Sequence, residues 1–85
     1  MAESLSVEDF RMEVQRQIDE ARNMGVDYVE IVSGEVHRIL GGYPGPNHSM
    51  PSCCKAMYDY KKSNDMILAA PSKGKGASLK IRYYI

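Results

Sequence analysis

Phe10, Val14, Ile18 and Ala21 recur at spacings of four, four and three, separated mostly by charged and amide side chains. That pattern is one buried stripe on an α-helix. Both ends of the helix are marked. Ser6 is a capping residue, and Asp9 stands three positions later as its capping-box partner. Leu5 before the cap and Phe10 inside the helix form a hydrophobic staple. Glu8 and Asp9 lie in the first turn, where the helix dipole favours negative charge. Gly25 is a natural stop. A helix is predicted over residues 7–24.

The period then changes. In Asp27–Val32, Val29 and Ile31 alternate with Tyr28 and Glu30, and β-branched residues dominate, which is a short strand. From Ser33, taken as a cap, Val36, Ile39 and Leu40 fall on one face of a second helix that Gly41 and Gly42 stop. The segment is short, so a strand continuing through His37 competes with the helix. Residues 41–48, GGYPGPNH, hold too much glycine and proline for regular structure, and Tyr43 is expected to fold back on the core. A third helix is predicted from about Ser49 to Lys61, with Pro51 tolerated in its first turn. Met50, Cys53, Cys54, Met57 and Tyr60 make its inner side. Ser52, Lys55, Asp59 and Lys62 make its outer side. Ser63-Asn64-Asp65 ends it in turn-forming residues. Two strand-like runs, residues 66–70 and 79–85, flank a loop of Pro, Ser, Lys and Gly. In the second run Leu79, Ile81 and Tyr83 alternate with Lys80, Arg82 and Tyr84, giving one apolar and one polar face. This pair reads as an antiparallel hairpin with a mobile basic tip.

The predicted order is helix, strand, helix, helix, strand, strand within a single α+β domain spanning residues 1–85. Three helices against a small antiparallel sheet, with Tyr28–Val32 as its third strand, also solve the core problem for so short a chain. The order is that of a winged helix-turn-helix, with the two short helices and their connection as the helix-turn-helix unit.

Composition adds class constraints. No apolar run approaches the roughly 20 residues of a membrane helix. The acidic start, MAESLSVEDF, lacks the basic and apolar regions of a secretory signal. Cys53 and Cys54 are neighbours, and a bond between them is strained, so they read as reduced thiols of a cytoplasmic protein. Charge is more telling. The net charge is zero, yet residues 1–35 hold nine acids against three arginines, and residues 36–85 hold two acids against eight bases. The halves carry −6 and +6, an asymmetry that points the second half toward an anionic partner.

The partner expected first is double-stranded DNA. The second helix of a helix-turn-helix lies in the major groove, and its outward residues here are His48, Ser49, Ser52 and Lys55. Their hydroxyl, imidazole and ammonium groups reach base edges or phosphates. Lys73 and Lys75 in the loop reach phosphates or the minor groove, and Lys61 and Lys62 clamp the backbone. Each phosphate neutralised releases counterions, which drives much of the affinity. Zero net charge counts against this reading, as does Asp59, which repels phosphate from the outer face. The competing reading is a protein–protein interaction module without nucleic acid. There the acidic first helix, with Glu13, Asp19 and Glu20 outward, meets a basic partner or a second copy of the chain.

Other chemistry is weakly supported. His37, His48, Cys53 and Cys54 are metal-ligand types. Adjacent helical cysteines point about 100° apart, and the usual C-x2-C spacing is missing, so no metal is expected. No acid is placed to orient His48 beside a thiol, and the chain reads as a non-enzyme without cofactor. GGYPGPN lacks the Gly-Lys-Ser/Thr ending of a phosphate loop. Glu35, His37 and Arg38 read as the surface of a short helix.

Gly34-Glu35-Val36-His37-Arg38, the Gly41–Gly45 turn, Met50-Pro51 with Cys53-Cys54, and Gly76-Ala77-Ser78 together resemble a family of small, mostly uncharacterised bacterial and phage-associated proteins. The resemblance covers roughly residues 28–85. It implies a phage or restriction-linked setting and assigns no activity to a named residue. Relatives tend to carry a basic residue where Ser49 stands, so one phosphate contact is expected to be missing here.

Overall fold

The computed structural model describes residues 6–41, 50–70 and 76–85. Their order is α1 (Val7–Met24), β1 (Tyr28–Val32), α2 (Ser33–Leu40), α3 (Met50–Tyr60), β2 (Met66–Ala69) and β3 (Lys80–Tyr84). The architecture is α+β, three helices and a three-stranded antiparallel sheet.

Local signals account for α1. The Asp9 amide donates to Ser6 Oγ at 3.3 Å, and the Ser6 amide donates to the Asp9 carboxylate at 2.8 Å, so two otherwise orphan donors are satisfied. Gly25 ends the helix at φ +75°, a conformation costly for any residue with a Cβ. The staple residue Leu5 lies outside the described residues. Phe10, Val14, Ile18 and Ala21 are buried, as their spacing requires. Glu13 is not outward: it is 6% exposed and takes two bonds from Arg16, at 2.7 and 2.9 Å, and one from Gln17 at 2.9 Å. A buried carboxylate persists only with such partners, and Arg16 holds Glu13 below the usual carboxylate range despite burial.

β1 runs into α2 without a loop, so the competition between strand and helix is resolved at Val32–Ser33. Ser33 does not cap α2. The cap position is Val32, and no side chain caps the helix. The first amides are satisfied across the fold instead, Ser33 N donating to the Leu79 carbonyl at 2.8 Å and Gly34 N to the Ala77 carbonyl at 3.0 Å. The Ser33 hydroxyl is thereby released and donates to the Gly76 carbonyl. Docking through Ser33 and Gly34 also rotates the inner face. Val36 and His37 are buried, and Ile39 is 55% exposed rather than inward. His37 is therefore a core residue, its ring edge-on to Phe10 at 4.9 Å.

The sheet order is β1-β3-β2, with β3 in the centre. β1 and β3 pair in unbroken register from Tyr28 opposite Tyr84 to Val32 opposite Lys80. β2 pairs more loosely, with a register shift between Ile67 and Ala69. The inner face of the sheet supplies Ile31, Ile81 and Tyr83 to a core completed by α1, Val36 and the buried side of α3. On the outer face Arg82 grips Glu30 at 2.6 and 2.9 Å and lies over the Tyr28 ring at 4.4 Å. Lys80 reaches the same carboxylate at 3.4 Å. Among the described residues, no helix is long and apolar enough to cross a membrane.

Candidate nucleic-acid interface

Of the eight residues expected to meet nucleic acid, Ser52, Lys55, Lys61 and Lys62 belong to the described structure. His48, Ser49, Lys73 and Lys75 lie outside the described residues, as does Tyr43. Helical spacing separates the two sides of α3 as expected. Met50, Cys53, Cys54 and Met57 are buried, while Lys55 and Asp59 are exposed. Tyr60, assigned to the inner side, is only half-buried. Pro51, Ser52, Lys55, Tyr58 and Asp59 line an open hollow of about 480 Å³ on the outer side.

The charge on that side differs from the expectation that Asp59 repels phosphate. Arg11 of α1 reaches the Asp59 carboxylate at 2.6 Å, and Lys55 Nζ approaches it at 3.4 Å. Arg11 first, and then Lys55, hold Asp59 below its ordinary pKa. Two cations around one carboxylate leave this patch net positive. Arg11 sits on α1, 48 residues from Asp59, and no local pattern announces the pair.

Lys61 and Lys62 follow α3 and stand apart from the hollow. Both are partly committed. Lys61 Nζ donates to the Lys62 carbonyl at 3.3 Å, and Lys62 Nζ lies 3.2 Å from Asp65. Asp65 was read only as a turn residue, yet its carboxylate is buried and also accepts from the amides of Lys62 at 2.8 Å and Tyr84 at 2.9 Å. Burial pushes this carboxyl up, but the two amides and Lys62 together outweigh burial and hold it below its ordinary value.

The thiols define what α3 is fixed to. Cys53 Sγ donates to the Ser33 carbonyl at 3.4 Å. Cys54 Sγ meets both the amide and the carbonyl of Gly76, each at 3.3 Å. With the Ser33 hydroxyl also on Gly76, the start of α2, the middle of α3 and the foot of the β2–β3 loop form one knot. Burial pushes the Cys53 thiol up to about 12, so at neutral pH it is an inert packing group. Among the described residues no three of His, Cys, Asp or Glu converge as metal ligands.

Compared with known proteins, the chain matches no family model, no curated protein and no solved structure. The reading of this surface therefore rests on its own geometry. That geometry fixes the buried side of α3, opposite its net-positive outer face, to the foot of a loop whose sequence, PSKGK, holds two lysines among small residues. Gly76 is met by Ser33 and Cys54, while Gly34 bonds Ala77 beside it and Cys53 bonds Ser33, a set of long-range contacts that local sequence pattern does not announce.

Proposed function

We propose that this chain is a winged helix-turn-helix domain that binds double-stranded DNA, with α3 in the major groove and the β2–β3 loop on the adjacent backbone. The order of elements and the central position of β3 support the winged assignment. The observation that carries the DNA reading is the grip of Cys54 on Gly76, which makes α3 and the foot of the lysine-bearing loop one rigid unit. Ser52 and Lys55 then share one body with the described foot of the loop, which lowers the ordering cost of a surface that uses both. Lys61 and Lys62 contribute to the backbone on this reading, at the cost of the Asp65 contact for Lys62.

Fluorescence anisotropy on a labelled mixed-sequence duplex, across a salt series, tests it. Wild-type protein binds at low ionic strength, and log K falls linearly with log salt. Lys73→Ala with Lys75→Ala weakens binding and flattens that slope by up to about two phosphate contacts, and Lys55→Ala by about one. Binding that is absent, or indifferent to salt, overturns the proposal. The second reading is an interaction module without nucleic acid. It is favoured by the mutual compensation of Arg11, Asp59 and Lys55, which leaves only one net charge on the outer side of α3.

A further inference from the structure

The three most exposed large apolar side chains among the described residues are Met24 at 71%, Met12 at 65% and Ile39 at 55%. Single exposed apolar side chains are ordinary, but contiguous ones mark interaction surfaces. These three share the α1–α2 face. Met24 and Ile39, with Val26, Tyr28 and Val29, line a hollow of about 360 Å³. Met12 and Leu40 line a second of about 400 Å³. Arg16 borders both and is folded onto Glu13, with Glu20 at 3.5 Å. The two hollows thus form one interrupted apolar groove with Arg16 as the ridge between them.

The rim charge selects the occupant. Arg16, the one cation among the described residues lining the groove, is taken up by the buried Glu13, which leaves Asp9 and Glu20 to set the rim charge, within the half of the chain that carries −6. A second copy meeting through this face would oppose acid to acid. An acidic groove with an apolar floor fits a helix that is apolar on one side and cationic on the other. Methionines at the mouth suit such a ligand, because their flexible thioethers adapt to varied apolar side chains. We propose that the α1–α2 face is a docking groove for a cationic amphipathic helix of a partner protein. This proposal shares no residue with the proposed DNA surface and stands or falls separately from it.

The test uses the full chain, 15N-labelled, titrated with a synthetic amphipathic Leu/Lys helix. A Leu/Glu peptide with the same leucine positions and a scrambled Leu/Lys peptide serve as comparisons. The expected result is amide shifts confined to α1, β1 and α2, with binding that weakens as salt is raised. Ile39→Asp lowers affinity at least about tenfold, as anchor loss does at apolar interfaces. Met24→Ser, at the most exposed of the three positions, does the same more mildly, and circular dichroism checks that both variants keep the fold. Equal binding of the Leu/Glu or scrambled peptide overturns the proposal, as do shifts on α3 or around Gly76, or no binding at all. Sedimentation of the unliganded chain as a dimer that Ile39→Asp disperses assigns the face to a second copy and overturns it too.

Discussion

Ile31 of β1 and Ile67 of β2 both pair with Ile81 of β3, one from each side. Ile31 is 1% exposed and Ile67 is 44% exposed. The neighbours repeat the contrast. β1 keeps register along its whole length, is extended by the Ile85 amide on the Asp27 carbonyl at 2.9 Å, and leads straight into a docked helix. β2 is four residues long, exposed throughout, and broken in register after Ile67. The hairpin that sequence proximity favours is the weak side of the sheet. The strength lies in the pairing that joins the two halves of the chain, which costs more loop entropy to form and returns it as buried apolar area.

The largest expected effect breaks or sharpens that contrast directly. Ile31→Ala leaves a cavity in a closed core and costs about 2–5 kcal/mol. Ile67→Ala trims a side chain that is nearly half in water and costs about 1 kcal/mol or less. Urea unfolding of the two variants side by side measures both. Equal losses mean that β2 is covered in solution and that the contrast is wrong.

Asp65 tests how the weak side stays attached. β2 ends short of Tyr84, and the Asp65 carboxylate takes the Tyr84 amide in place of a strand partner while also closing the turn through Lys62. Asp65→Asn replaces an acceptor oxygen by a donor facing those amides and costs about 1–3 kcal/mol. The pH dependence has a definite sign. The folded carboxyl titrates below its unfolded value of about 3.9, so its stabilisation is complete above that pH and is lost as pH falls through the folded value. Between about pH 6 and pH 2.5 the melting temperature therefore falls less with pH in Asp65→Asn than in wild type. Parallel curves mean that the carboxylate contributes nothing.

What could be read from the sequence follows the range of the interactions. The bounds and buried stripe of α1 were legible because cap, stripe and stop all lie within residues 6–25. The outward placement of Ser52 and Lys55 was legible from helical spacing, and the inner face of β3 from alternation. The face of α2 was not legible, because Ser33 answers to Gly76 and Leu79 rather than to its own helix. The same holds for Asp59, whose charge is set by Arg11, and for Asp65, whose residue type suggested a turn while its carboxylate serves β3. Glu13 misled for a related reason. Its burial depends on Arg16 and Gln17, which are close in sequence, but a charged residue beside an apolar stripe gives no sign of which way it turns.

The smallest effect decides how tightly the loop foot is coupled to the helices. A Cβ on Gly34 stands 3.0 Å from the Ala77 carbonyl oxygen and 3.1 Å from the Ala77 Cβ. Two effects of similar size oppose one another in Gly34→Ala. Alanine favours a helix over glycine by about 1 kcal/mol. Crowding a packed contact costs about 1–3 kcal/mol. The carbonyl that must move is the acceptor for the Gly34 amide, and Gly76 beside it is held by Cys54 and Ser33, so the segment has little room to yield. Crowding therefore wins, for a net loss of about 1 kcal/mol by chemical denaturation. The Gly76 and Ala77 amides shift in the NMR spectrum, and duplex affinity falls with them if the loop foot and α3 act as one unit. A variant more stable than wild type would show instead that the foot gives way freely, and the rigid coupling on which the DNA reading leans would be lost.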